Sequence, residues 1–246
     1  MPEVYDAFYY ATSCGRPYRR DEEWLAFFGR MADRIIQDLN PRTVMDAGCA
    51  HGFLVEALRD RGVEAYGVDA SAYAIGQVRP DVSQYCTIGS LLGPFPQTYD
   101  LIVCIEVVEH LAAAQAHDAI GNLCRHADDI LFSSTPDDYT EPTHLNVRPV
   151  EHWAEHFARN GFFRDLDFDT EFIAPQAMRF RRSSDPAHRM VANYERKLWS
   201  QTRETAALRR QVIEMKNQLS AAWHPQPDMP LGWMRRVRTR HKGGTT

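Results

Sequence analysis

The chain has 246 residues, 44% of them hydrophobic, enough for one well-cored domain with extensions. A formal net charge of -5 gives no whole-molecule attraction to nucleic acid or anionic lipid, and five cysteines without a CxxC pair argue against a zinc cluster or a disulfide framework. No apolar run reaches the ~18 residues of a membrane span, and MPEVYDAFYY lacks the basic-then-apolar order of a signal peptide. A soluble, cytoplasmic protein in a reducing compartment is therefore expected.

Residues 1–20 are dense in Tyr and Arg, including Tyr5, Tyr9, Tyr10, Tyr18, Arg19 and Arg20. Residues 21–39 place Trp24, Phe27, Phe28, Met31, Ile35 and Leu39 at helical spacing, opened by acids at 21–23 and stopped by Asn40-Pro41. Short apolar runs then alternate with helical stretches. Strands are predicted over 43–46, 65–69, 85–88, 100–105, 130–134, 162–168 and 172–180, and helices over 53–61, 71–78, 114–126 and 149–160. The run DLIVCI at 100–105 is apolar throughout, as a strand buried on both faces requires. This alternation implies an α/β fold with a mostly parallel sheet and right-handed crossovers.

The pattern changes after Asp185-Pro186. Val191, Tyr194, Leu198, Gln201, Thr205, Leu208, Val212, Met215 and Leu219 follow steps of three and four, a heptad seam with two polar members. It predicts a long helix, packed either on its own domain or against a second chain as a homodimer. Pro225, Pro227 and Pro230 end it. The basic segment beyond carries Trp233 among arginines; disorder is expected there, with contact to a membrane surface the lesser alternative. The division expected is 1–40 (lid and helix), 41–185 (catalytic domain), 186–222 (amphipathic helix) and 223–246 (basic tail).

The chemistry begins at VMDAGCAHG, residues 44–52. A strand ends at Asp46, and Gly48 and Gly52 let a ligand approach the backbone where a helix offers unpaired N–H groups. In an open α/β sheet a ligand sits beyond the carboxyl ends of the strands, which is this place. Gly67-Val68-Asp69 ends the next strand with a carboxylate able to accept from two ribose hydroxyls, and a third strand ends at Ile105-Glu106. With VMDAGCAHG, GVDAS and YDLIVCIEVVEHL, residues 40–180 resemble class I S-adenosylmethionine-dependent methyltransferases. The resemblance implies a Rossmann-like, doubly wound seven-stranded sheet with a reversed last strand, and S-adenosyl-L-methionine as cofactor. By position, Asp46, Gly48, Cys49 and Gly52 belong to the first cofactor turn. Asp69 would hold the ribose, Ala70, Ser90 and Leu91 would lie near the adenine, and Ile105 beside the cofactor. Tyr10 and Tyr18 resemble a lid of this class. Ala50 departs from the family, which has glycine there. A nicotinamide enzyme is the competing reading, but DxGxxxG is not GxGxxG.

An alcohol acceptor needs a base or a metal before it attacks a methyl group. If a helical turn follows the strand, Glu106, Glu109 and His110 share a face that suits magnesium or manganese. The ExxEH pattern is similar to that of small-RNA terminal methyltransferases, where a further histidine joins the metal, and of quinone-pathway O-methyltransferases. The loop SSTPDDYTEPTHLNVRP supplies His144 as general base or extra ligand. Asp137, Asp138, Tyr139, Asn146 and Arg148 are its candidates for acceptor hydroxyls. This loop and the EHWAEHFARNGF helix loosely resemble bacterial sugar or glycan O-methyltransferases, so a sugar or oligosaccharide hydroxyl is the first acceptor expected. The alternatives are a phenolic or quinone-pathway small molecule, an RNA 2′-hydroxyl, disfavoured by the acidic balance, and a non-catalytic cofactor-binding assembly protein.

Overall fold

Alternation along three apolar strands sets the architecture. In the computed structural model, which describes residues 4–223, β1 is Thr43–Ala47, β2 Glu64–Asp69, β3 Cys86–Ile88, β4 Leu101–Ile105, β5 Asp129–Ser133, β6 Phe162–Arg164 and β7 Met178–Arg182. Val44, Leu101, Val103 and Leu131 face one core; Met45, Ile102, Cys104, Ile130 and Phe132 face the other. A sheet buried on both faces in this way takes a helical layer on each side.

The first layer is α2 (Glu22–Leu39) with α3 (Phe53–Arg59), contributing Met31, Ile35, Leu54 and Leu58. The second is α5 (Ala113–His126) with α6 (Val150–Arg159), contributing Ile120, Leu123, Trp153 and Phe157. Two short helices, α1 (Ala7–Thr12) and α4 (Ala72–Gly76), lie at the strand ends. The acids that open α2 act as read: Asp21 is its N-cap, accepting from the Trp24 N–H at 3.0 Å. Asn40 ends it in the left-handed region, φ 46°.

The sheet order is β3-β2-β1-β4-β5-β7-β6, with β7 antiparallel to both neighbours and the remaining pairs parallel. Order reverses between β1 and β4, so a crevice opens beyond their carboxyl ends. This strand order, with its reversed last strand, is the topology that the resemblance implies.

The last two strands are shorter than predicted. Residues 165–177 run as turns, because Pro175 cannot donate to a ladder and Thr170 Oγ1 donates locally to the Ala177 carbonyl at 2.7 Å. The chain divides into two units at Asp185–Pro186. In the second, α7 (Ala187–Trp223) is one unbroken helix. The basic tail and its expected disorder lie outside the described residues. Among the described residues no helix is long and apolar enough to cross a membrane.

Candidate active site

Two turns at the carboxyl ends of β1 and β2 are tied to each other. The Gly48 and Cys49 N–H groups both donate to the Val68 carbonyl, at 2.8 and 3.1 Å. Asp69 accepts from the Ala50 N–H on Oδ2 and from the Ser71 N–H on Oδ1, each at 2.8 Å. Gly48 has φ 95°, and a Cβ there would be driven into the Val107 side chain, so only glycine serves. Ala50, at the departure from the family pattern, sits at φ 46°, a conformation that strains an L-residue.

A cavity of about 490 Å³ opens over these turns. Asp46, Gly48, Cys49, Asp69, Ala70, Ser90, Leu91, Ile105, Tyr10 and Tyr18 all line it. Gly52 does not: it starts α3 at φ 69°, and its missing side chain leaves room for Cys86 and Val78. The cavity fits an adenosyl group in its acceptor as well as its place, since Asp69 offers ribose hydroxyls a carboxylate already aimed by two backbone N–H groups. Burial, then the Asp69 charge, pushes the Asp46 carboxyl up to about 8.

Residues 5–18 form one wall. Tyr10 packs against His51, Tyr73 and Tyr18, with ring centroids 4.7, 5.8 and 5.8 Å away. The Tyr18 N–H donates to the Tyr10 carbonyl at 2.7 Å, and Ser71 Oγ donates to the Tyr5 carbonyl at 2.6 Å. Arg20 then pins the segment to α3 through the buried Glu56, Nη2 to Oε1 2.6 Å. The rings of Tyr5 and Tyr9 stand edge-on to His110, and Tyr9 Oη lies 3.5 Å from His110 Nε2.

The acidic and imidazole groups assemble differently from the expected face. Glu106 follows β4 at φ 52°; the tight turn begins only at Val108, so positions 106, 109 and 110 do not follow one helix. Glu106 Oε1 instead accepts from Ser133 Oγ at 2.6 Å and Gln176 Nε2 at 3.1 Å. The ligand atoms that converge, all within 4.8 Å of one another, belong to Glu109, His110 and His144. Glu109 is fully buried, and neither carboxyl oxygen has a hydrogen-bond partner. Burial, then Glu106, holds its pKa well above the usual carboxylate range. His110 is pulled down to about 4 by burial and then by His144, and its Nδ1 meets Thr143 Oγ1 at 2.9 Å. His144 Nδ1 lies 2.8 Å from the Asp138 carbonyl. A carbonyl can only accept, so Nδ1 carries the proton and Nε2 is left as the basic nitrogen.

Of the five residues expected to bind acceptor, only Asp138 lines the cavity. Asn146 is buried and accepts from Arg148 Nε at 2.9 Å, a pair that braces the loop. Tyr139 is exposed, and Asp137 is not on the wall. Sequence reasoning missed an apolar wall: Phe27 and Phe28 from α2 with Ile173 and Ala174 from the turns before β7 line the cavity and belong to one cluster. It also missed Gln176 and Thr143, which position Glu106 and His110. The local signals were a helix face broader than one core needs and a proline inside an expected strand.

Residues 18–171, more than half of the chain, match the family described as Methyltransferase domain. The chain belongs to that family. A ubiquinone biosynthesis O-methyltransferase of Nitrosomonas europaea is 31% identical over 87 residues, 32% of this methyltransferase-domain chain and 37% of that protein. Its counterpart in Neisseria meningitidis is 26% identical over 154 residues, 49% of this chain and 64% of that one. The chain thus spans between about a third and two thirds of the length of these relatives. Among solved structures, an amino pentose methyltransferase of Micromonospora echinaspora, CalS10, with bound SAM superimposes with TM-score 0.55 at 15% identity, over 74% of this chain and all of that one. Magnesium protoporphyrin IX methyltransferase of Synechocystis with bound SAM gives 0.53 at 19%, over 72% and 94%. These likenesses establish the class I S-adenosylmethionine-dependent methyltransferase fold.

Proposed function

We propose that this methyltransferase-domain protein transfers a methyl group from S-adenosylmethionine to a hydroxyl oxygen of a small molecule, with His144 as general base. The observation that carries this is the His144 Nδ1 bond to the Asp138 carbonyl, which leaves Nε2 as the ring nitrogen that can accept a proton beside the cavity. When bound, the cofactor supplies an electrophilic methyl on sulfur. Asp69 holds the ribose, the turn at Gly48 lies against the methionine portion, and Tyr10 and Tyr18 exclude water. As the oxygen–methyl bond forms and the sulfur–methyl bond breaks, His144 Nε2 takes the hydroxyl proton. Alignment within a closed site is the main source of acceleration in such a displacement.

The lining favours an acceptor whose hydroxyl is carried on an apolar body, such as a phenol, because Phe27, Phe28, Ile173 and Ala174 face the cavity. The curated relatives' names, which place them in ubiquinone biosynthesis, support the same class. A sugar acceptor would meet only Asp138 of the five polar residues proposed for it. A second reading rests on the buried, unpartnered Glu109 carboxyl beside His110 and His144, which fits a divalent cation; His144 Nε2 would then be a ligand in place of the base, and the cation would polarise the acceptor oxygen. With two imidazoles, this set suits manganese, iron or zinc better than magnesium. Methyl incorporation into a panel of phenols and sugars, followed by mass spectrometry, tests the reading. Methylated phenol from the wild type and its loss in His144→Ala are expected; full activity in His144→Ala would remove the base.

A further inference from the structure

From α7 we propose that this protein pairs with a second copy of itself through a parallel, two-stranded coiled coil over residues 190–219. The inference is independent of the methyl-transfer site. α7 is 37 residues long, about 55 Å at 1.5 Å per residue. Its heptad a positions are Val191, Leu198, Thr205, Val212 and Leu219; its d positions include Tyr194, Gln201, Leu208 and Met215. The apolar members are between 43% and 72% exposed, so one chain alone leaves the whole seam in water.

Three features on the helix choose a second copy in parallel over another occupant. The seam keeps a repeat of seven throughout, and such a repeat matches another helix carrying the same repeat rather than a flat surface. β-branched Val191, Thr205 and Val212 at a, with Leu208 at d, is the pattern that favours two parallel strands. The flanking charges are self-complementary in that arrangement. Each g residue faces the e residue five places on in its partner, so Glu204 meets Arg209 of the second copy, twice by symmetry. Lys197 meets Thr202, and Gln211 meets Lys216; no like charges oppose each other. The polar layers at Gln201 and Thr205 lie mid-seam, where they penalise a slipped register.

Light scattering on the full chain at micromolar concentration, with charge-reversal variants, tests this. Wild type should have twice the mass of one chain. Leu208→Asp with Val212→Asp should halve that mass while keeping helicity and S-adenosylmethionine binding, which shows that the first unit remains folded. Glu204→Arg and Arg209→Glu should each weaken dimerisation about tenfold, and the double reversal should restore it. A monomeric or higher-order wild type would overturn the proposal, the latter drawing in Trp199 and Ile213 outside the seam. Failure of the double reversal to rescue would overturn the parallel register.

Discussion

The Asp69 carboxylate accepts the Ala50 N–H, Oδ2 to N 2.8 Å, and so joins the two turns beneath the cavity proposed for the cofactor. The same side chain is fixed from its other oxygen by the Ser71 N–H. It is therefore oriented before any ligand arrives, which spares the ordering entropy of binding. Asp69→Ala should weaken S-adenosylmethionine binding by about 2 kcal/mol, the loss of charge-assisted hydrogen bonds to two hydroxyls. Calorimetric titration reads the affinity and a thermal melt confirms folding; unchanged affinity would mean the ribose lies elsewhere.

Ala50 stands in the left-handed region, where the resemblance leads to an expectation of glycine. The strain is about 1–2 kcal/mol, against about 0.4–1 kcal/mol of added unfolded-state entropy for glycine. Ala50→Gly should therefore raise stability by about 0.5–1 kcal/mol, roughly 2 °C in melting temperature for a unit of this size. A lower melting temperature would show that the methyl group packs favourably.

Asp46 titrates at about 8 in the folded protein, against 3.8 for an ordinary aspartate. The folded state holds its proton where the unfolded state has lost it, so this group's contribution falls as pH rises from about 4 to about 8. His51 and His110, both lowered to about 4, act oppositely, but only up to about 6.5. Between pH 6.5 and 8 the cofactor-free protein should thus lose stability, by up to about 1.4 kcal/mol per pH unit from Asp46. Glu109, also raised, adds to the same slope. Asp46→Asn should flatten the melting-temperature profile over that window. A cationic sulfonium nearby should also drive the proton off, so cofactor binding at pH 7 should release protons in wild type and fewer in Asp46→Asn. An identical release in both would place the charge away from Asp46.

Most of the sheet and the cofactor turns could be read from sequence, because they depend on local patterns. DLIVCI could only be a strand buried on both faces, and VMDAGCAHG with GVDAS pointed to the strand ends over which the cavity opens. The acceptor side was less legible. Glu106 leaves the Glu109–His110 face because its backbone adopts φ 52°, which no spacing rule anticipates in a glutamate. Phe27 and Phe28 read as helix core; the breadth of that helix face was the local signal, but it does not say which of its rings border a cavity. Asn146 is buried and its Oδ1 accepts from Arg148 Nε, a pairing made by the loop's tertiary path.

Glu109, His110 and His144 form a set whose occupancy can be measured without turnover. Manganese or zinc titrated into chelator-treated protein should bind and raise the melting temperature. Glu109→Gln should abolish both effects, since the buried carboxylate is the only charged ligand. Equal binding by wild type and Glu109→Gln would place the ion elsewhere.

The most direct test of the account is single-turnover methyl transfer from S-adenosylmethionine to a phenolic acceptor, comparing wild type with His144→Ala at saturating cofactor. The account predicts O-methylated product from wild type and a rate lower by about 100-fold or more in the variant, with cofactor affinity unchanged. Equal rates in the two proteins, or methylation at nitrogen or carbon alone, would contradict it.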